Sequence, residues 1–419
     1  WIKYKAVCDL YTWAFFQPYQ PGQPEHLTVT SETLFNKLYY NATTNARLEG
    51  KATAMALKHT FFHLPLEFPD VAESGGFDLV LGNPPWERIK LQEKEFFAAR
   101  DEKIANAANK AAREKLIRQL KDTDPELYSA YEEALQYSEA SAKFIRESER
   151  FPLTCGGDIN TYSIFSELAI SHTRSNGRSG IIVPTGIATD DTNKHFFAHL
   201  VENNRLVSLF DFENKKALFP NVHRSYKFCL LTASGGSLPA SFEARFGFFL
   251  QDVLDINDKR RVFSLTSNDF LNINPNTKTC PIFRTRQDAE LTKHIYSYVP
   301  VLVNEAKEQN PWGISFMRMF DMSNDSHLFK TEPELTQMGF TLMGNRFVKG
   351  DEMWLPLYEG RNCWIYDHKL TTFQNDYINY SARDSDSKIL TQYFVPFETV
   401  KNRNFQKFFF GIRRVTNNT

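Results

Sequence analysis

The spacing of apolar side chains changes several times along this chain, and each change predicts an element. Over residues 3–16 the apolar positions share one helical face. The same pattern returns from Ser31, the expected N-cap, and again over residues 42–62. Between them, Pro18, Pro21, Gly22 and Pro24 punctuate a turn. Phe77-Asp78-Leu79-Val80-Leu81-Gly82 comes after Gly75-Gly76 as a short apolar run, which predicts a strand buried on both faces of a parallel sheet. It ends at Asn83-Pro84-Pro85-Trp86. Residues 87–150 turn to Lys, Glu, Arg and Ala, with Pro125 between two helices, and read as a helical insertion.

An alternating rhythm resumes beyond the insertion. A helix over 160–174 precedes a strand over 179–183, closed by Pro184-Thr185-Gly186. Next come a helix over 193–203, a strand over 206–212, a loop over 213–225 and a strand over 226–231. Strands alternating with helices predict a mostly parallel sheet with both faces covered. After about residue 240 the pattern becomes irregular and rich in strands and polar turns. The expected organisation is a first domain over 1–250, a mixed α/β connector over 251–345 and a further region over 346–419.

Composition adds bounds. A chain of 419 residues suggests two or three domains. With 42% hydrophobic and 24% charged residues it can bury a core. A net charge of -1 excludes a uniformly basic nucleic-acid coat protein and leaves room for a local basic patch. The five cysteines are scattered without a CxxC pair, which fits a reducing cytoplasm better than a disulfide framework or zinc knuckle. No apolar run is long enough for a membrane span. The opening Trp1-Ile2-Lys3-Tyr4-Lys5 has neither a signal-peptide pattern nor an initiator Met, and reads as part of a longer chain.

The sharpest chemistry sits at Asn83-Pro84-Pro85-Trp86. Ligands of open α/β sheets bind beyond the carboxyl ends of the strands. A planar exocyclic amine, such as that of adenine, is a poor nucleophile because its lone pair is delocalised into the ring. The Asn83 side-chain oxygen can accept one N–H and the Pro84 carbonyl the other. Acceptors placed off the ring plane favour a pyramidal nitrogen with a free lone pair. The two prolines fix φ and stiffen the turn, and Trp86 offers a ring face to an extruded base. A plain strand-ending turn also uses Asn-Pro; the preceding apolar strand favours the chemical reading.

The segment from Phe77 to Trp86 resembles motif IV of the amino-group DNA methyltransferases, specifically the N6-adenine enzymes. Phe61-Phe62-His63 with Leu66-Glu67-Phe68-Pro69-Asp70-Val71 is similar to the preceding segment of type IIG restriction–modification proteins and related phage-defence methylases. Gly157-Asp158-Ile159-Asn160-Thr161-Tyr162 with Phe165, Gly180-Ile181-Ile182-Val183-Pro184-Thr185-Gly186, Phe212-Glu213-Asn214, Phe219 and Tyr226-Lys227-Phe228 resemble the family's later segments, as far as motif VIII. Leu355-Pro356-Leu357-Tyr358-Glu359-Gly360 and Asp367-His368 resemble the entry to a target-recognition region. The resemblance implies a Rossmann-like, S-adenosyl-methionine-dependent core with a helical insertion and a C-terminal target-recognition region. It implies methyl transfer to N6 of a flipped adenine in double-stranded DNA. Asn83, Pro84, Pro85 and Trp86 would be catalytic, and Tyr226 or Phe228 would touch the base from another side. Core packing on a strand is the competing role for those two. The family's Phe-x-Gly-x-Gly cofactor loop is missing from this sequence, as is a locatable acidic ribose ligand. The cofactor pocket is therefore expected to be incomplete here, with Asn83 at its border.

Other signals are weaker. Glu305-Ala306-Lys307, with Asp288 upstream, and Glu49-Gly50-Lys51 have a nuclease-like form that charged helices produce by chance. His59 with His63, and His195 with His199, stand at helical spacing without a zinc-site frame, so no metal is expected. The insertion reads as a solvated hairpin or as a clamp over substrate. Lys401, Arg403, Lys407, Arg413 and Arg414, among Phe405, Phe408, Phe409 and Phe410, suit either DNA phosphates or a buried strand. Two alternatives stay open: a methyltransferase for another planar amine or amide, such as RNA guanine or protein glutamine, and a DNA-binding module without activity of its own.

Overall fold

The computed structural model describes residues 1–17, 28–315, 318–322, 324–362 and 391–402. The chain divides into two units, Trp1–Gly313 and Ile314–Thr419.

The first unit opens with helices Ile2–Phe16, Ser31–Tyr40 and Ala46–Lys58. The N-cap of the second is Thr30, one residue before the expected Ser31: its hydroxyl accepts the Thr33 amide at 3.1 Å. Leu10, Trp13 and Phe16 bury against Leu48 and Ala52, with Phe144 of the insertion packed on them. The insertion's two long helices, Lys110–Thr123 and Pro125–Glu147, meet at Asp124, which caps the second by accepting the Leu127 amide at 3.0 Å. Pro125 stands in the first turn, where its missing N–H has no intrahelical partner to lose.

A six-stranded sheet is built from β1 (Phe77–Gly82), β2 (Thr173–Val183), β3 (Leu206–Glu213), β4 (Lys227–Ser234), β5 (Ala244–Leu250) and β6 (Phe263–Leu265), in the order β1-β2-β4-β3-β5-β6. β1 is parallel to β2, and β3 to β5. β4 lies antiparallel between β2 and β3. The sheet is thus mixed, because the chain returns from β3 to β4 through a hairpin loop and not through a crossover helix. β1, β2 and β3 still point the same way, so their carboxyl ends open onto one edge.

Val183, Leu209, Cys229 and Phe246 of the sheet bury against Phe196, Phe197 and Leu200 of helix Lys194–Glu202. β1 departs from expectation. Leu79 is 56% and Leu81 71% exposed, where burial on both faces was expected. Among the described residues β1 has β2 as its single strand neighbour, and Leu79 and Leu81, two apart, share a sheet face that those residues leave largely uncovered. β5 and β6 join the same sheet, so the boundary expected near residue 250 falls inside the first unit. Helix Arg286–Tyr298 belongs to this unit too; Asp288 closes its N-terminal turn, accepting from the Thr285 hydroxyl at 2.8 Å.

In the second unit β7 (Thr341–Met343), β8 (Arg346–Lys349), β9 (Glu352–Pro356) and β10 (Phe394–Pro396) form an antiparallel sheet in the order β10-β9-β8-β7. Leu335, Phe340, Phe347 and Phe394 are its core. The boundary expected near residue 345 falls within the β7–β8 hairpin. Asp367-His368 and the aromatic–basic tail from Arg403 lie outside the described residues. No helix among the described residues is long and apolar enough to cross a membrane.

Candidate active site at the carboxyl edge of the sheet

The turns that follow β1, β2 and β3 leave the shared carboxyl edge, and the first begins at Asn83. Asn83 and Pro85 are exposed, and Pro84 and Trp86 are half-buried. Upstream, the turn is fixed by the β1–β2 ladder, whose last register pair is Gly82 with Ile181. Downstream it is fixed by hydroxyls. The Thr161 Oγ1 donates to the Pro85 carbonyl at 2.7 Å and accepts the Glu87 amide at 2.9 Å. The Thr161 amide donates to the Glu87 carbonyl at 2.8 Å, and the Ile89 amide to the Ile159 carbonyl at 3.1 Å. Ser138 Oγ, on the insertion, donates to the Ile89 carbonyl at 2.7 Å and accepts the Leu91 amide at 2.8 Å.

Between these two anchors, neither the Asn83 carboxamide nor the Pro84 carbonyl oxygen hydrogen-bonds to any other group among the described residues. The turn therefore presents two acceptors on a held backbone. Trp86 is less available than expected. Its ring packs against both core clusters of the sheet, and its Nε1 is buried without a partner. A buried donor left unpaired costs about 1–3 kcal/mol.

The second turn, Pro184-Thr185-Gly186, is tied to β3. The Thr185 hydroxyl donates to Asp211, whose other oxygen accepts the Phe249 amide at 3.0 Å. Burial pushes the Asp211 carboxyl above the usual carboxylate range, against the opposing pull of these two bonds. Phe249 has φ +57° at an irregular step between β3 and β5, a left-handed conformation rare outside glycine, which turns its amide toward the carboxylate. Asn193 fastens the same turn to helix Thr161–Ser171: its Nδ2 donates to the Gly186 carbonyl at 3.0 Å and to the Tyr162 hydroxyl at 3.1 Å.

The third turn links β3 to β4 and is organised from within by Asn214, which is fully buried. Its Nδ2 donates to the Phe219 carbonyl at 2.9 Å and the Val222 carbonyl at 2.8 Å, and its Oδ1 accepts the Phe219 amide at 2.9 Å. Tyr226 lies on this turn and is 56% exposed. Phe228 is 5% exposed, stacked on Phe212 at 5.4 Å between centroids, with Phe219 edge-on at 5.0 Å. Of the two aromatics expected to meet a base, only Tyr226 is at the surface; Phe228 is a core residue. The anchoring roles of Thr161, Ser138 and Asn214 were not expected from sequence. Asn214 and Thr161 stand in segments that resemble the methyltransferase motifs, but nothing in their spacing announces the bonds they make.

A cleft of about 320 Å³ lies beside the first turn, lined by Thr161, Ile89, Phe16, Phe61, Phe151 and Phe165, among others. His63 also faces it, and its Nε2 is bound to the buried Asp9 carboxylate at 2.8 Å. His59 stacks on Tyr137 at 4.3 Å. Glu305-Ala306-Lys307 forms a single 3-10 turn. Among the described residues no three His, Cys, Asp or Glu side chains converge as metal ligands.

Residues 18–125, which contain β1 and the Asn-Pro-Pro-Trp turn, match the Eco57I restriction-modification methylase family. No curated protein matches the chain. Among solved structures it is similar to a type I restriction-modification methyltransferase subunit from Streptococcus thermophilus, at 12% identity and TM-score 0.27 over 34% of this chain and 35% of that one. It is similar to the type IIG restriction endonuclease BpuSI, at 15% identity and TM-score 0.26 over 84% and 36%. A nuclease-deletion mutant of the type ISP restriction-modification enzyme LlaGI, solved with a DNA substrate mimic, matches at 12% identity and TM-score 0.27 over 57% and 18%. The matches span little more than a third of those chains at most.

Proposed function

We propose that this chain, whose residues 18–125 match a restriction-modification methylase family, is part of a cytoplasmic enzyme that methylates N6 of a flipped adenine at specific sites in duplex DNA. The observation that carries this reading is the pair of unengaged acceptors, the Asn83 side-chain oxygen and the Pro84 carbonyl, on a turn anchored at both ends. Each accepts one N–H of the amine. The nitrogen is drawn out of conjugation, and its lone pair is exposed to an electrophilic carbon. The amine proton leaves to water once the nitrogen is cationic, so no general base is required. Tyr226, exposed on the β3–β4 turn, contacts the base, and Trp86 forms the floor of the site more than a free stacking face.

The methyl donor of this reading is S-adenosyl-methionine, which supplies an activated methyl group when bound. The residues at this edge fit the amine and not the donor. Asn83 and Pro84 offer acceptors, while the Phe-x-Gly-x-Gly loop that would hold the methionine part is missing from the sequence.

The reading is tested by incubating the enzyme of which this chain is proposed to be part with S-adenosyl-methionine and unmethylated duplex DNA, then analysing the nucleosides by mass spectrometry. N6-methyladenine with the unaltered protein, and none with Asn83→Ala at equal DNA binding, supports it. Methylated cytosine would overturn the adenine assignment. Equal methylation by Asn83→Ala would reduce the motif to a turn.

A further inference from the structure

We propose that Thr161 is a positioning residue for the methyl-accepting turn, an inference that rests on Asn83 and Pro84 as the amine's acceptors. The turn cannot hold itself. Pro84 and Pro85 have no N–H, so their only hydrogen-bonding groups are carbonyl oxygens. The Pro84 oxygen is free for substrate, which leaves the Pro85 oxygen as the nearest backbone handle. Thr161 Oγ1 takes that handle at 2.7 Å and closes the turn by accepting the Glu87 amide at 2.9 Å. One hydroxyl thus grips the chain on both sides of Trp86.

The link to the reacting group is short. The Pro84 carbonyl belongs to the peptide plane between Pro84 and Pro85. The pyrrolidine ring fixes the Pro85 φ, so anchoring the Pro85 carbonyl leaves only the Pro85 ψ to vary between it and that plane. Thr161 is itself placed from outside the turn as the first residue of helix Thr161–Ser171, whose N-cap Asn160 accepts the Tyr162 amide on its side-chain oxygen at 3.2 Å. Ser138 repeats the device one step later on Ile89 and Leu91, from the insertion. The insertion's contribution to the site is then to brace the turn from behind.

A misplacement of about 1 Å in a reacting geometry costs roughly a hundredfold in rate. The Thr161 bonds lie at the surface and close a local turn, so their effect falls on geometry more than on folding. The test compares Thr161→Val, which keeps the shape and loses the hydroxyl, with Thr161→Ser, which keeps the hydroxyl. Both are made in the enzyme of which this chain is proposed to be part.

With duplex DNA and S-adenosyl-methionine, Thr161→Val is expected to lower kcat about ten- to a hundredfold with KM for DNA little changed, and Thr161→Ser to restore most of the loss. Amide hydrogen exchange of the peptide covering 85–91 gives a readout that needs no activity: faster exchange in Thr161→Val, and not in Thr161→Ser, is expected. Unchanged exchange in Thr161→Val overturns the proposal. So does a serine variant no better than the valine one, or a loss confined to KM. Absence of methyl transfer by that unaltered enzyme sinks the underlying function instead, and the exchange experiment still decides whether Thr161 holds the turn.

Discussion

The turns beyond β1 and β3 leave the same edge of one sheet, and they are held by opposite means. The β3 turn is organised by its own buried Asn214, whose amide satisfies three backbone groups of the loop. Beneath it Phe212, Phe219 and Phe228 pack together. The β1 turn has no such interior. Its head is exposed, and hydroxyls from two other elements, Thr161 and Ser138, grip its tail. A turn held from inside spends its polar groups on itself. A turn held from outside keeps its own acceptors free, which is what a site that must receive an amine requires. Under the proposed function the contrast makes the β3 turn a matter of stability and the β1 turn a matter of chemistry, and substitutions can break that division.

The largest effect is expected at Phe228. Its removal as Phe228→Ala opens a cavity in a packed aromatic cluster and should cost about 3–5 kcal/mol in urea denaturation, whereas Tyr226→Ala should stay within about 0.5 kcal/mol. A small cost at Phe228 would return that residue to the set of base contacts. Next comes Asn83→Ala. Losing one preorganised polar contact to a reacting group lowers rates by about 10²–10³ in comparable sites, and an exposed residue should leave the denaturation midpoint unmoved. Loss of stability together with rate would make Asn83 structural. Asn214→Ala should fall below these, at about 1–3 kcal/mol for stranding buried backbone groups. Its signature is faster proteolysis of the β3–β4 loop with no change at 83–91. Matching changes in both loops would show that the two turns are one unit.

The sequence was most legible where backbone chemistry is local. The run Phe77–Gly82, the breaks at Pro125 and at Pro184-Thr185-Gly186, and the strands around Leu209 and Leu231 all appear within a few residues of their expected places. The Asn-Pro-Pro-Trp turn was visible because paired prolines directly after an apolar strand signal a turn, and β1 does end at Gly82. What was not legible depends on partners distant in sequence. The exposure of β1 arises because the described residues leave largely uncovered the sheet face that Leu79 and Leu81 share, which the apolar run itself cannot report. Thr161 and Ser138 reach the turn across 76 and 49 residues. An exposed-looking hydroxyl in a polar stretch gives no sign of that reach. Tyr226 and Phe228 stand two apart, a spacing that puts both on one face of a strand; they part because β4 begins only at Lys227, which leaves Tyr226 on the turn while Phe228 packs with Phe212 and Phe219.

The smallest expected effect distinguishes the two sides of the edge by pH. Asp211 is a buried titratable group on the β3 side, and its carboxyl is raised above the usual range by burial. The anchors of the β1 turn are hydroxyls and amides, which do not titrate. A carboxyl with its folded pKa raised binds its proton more tightly in the folded than in the unfolded state. Its contribution to stability is therefore full below the ordinary carboxylate pKa, about 3.9, and is lost as pH rises through the raised value. The protonated form keeps both contacts: its O–H can donate to Thr185 while the other oxygen accepts from Phe249. An asparagine amide reproduces this neutral arrangement, with its NH₂ toward Thr185 and its oxygen toward Phe249. Asp211→Asn should thus match the unaltered protein in stability at low pH and gain on it as pH rises, measured by urea midpoints across the acid range. A gap that is constant with pH, or that closes toward neutrality, would mean that Asp211 is held as a stabilised carboxylate. The β3 side would then owe its order to charge and not to a buried neutral network.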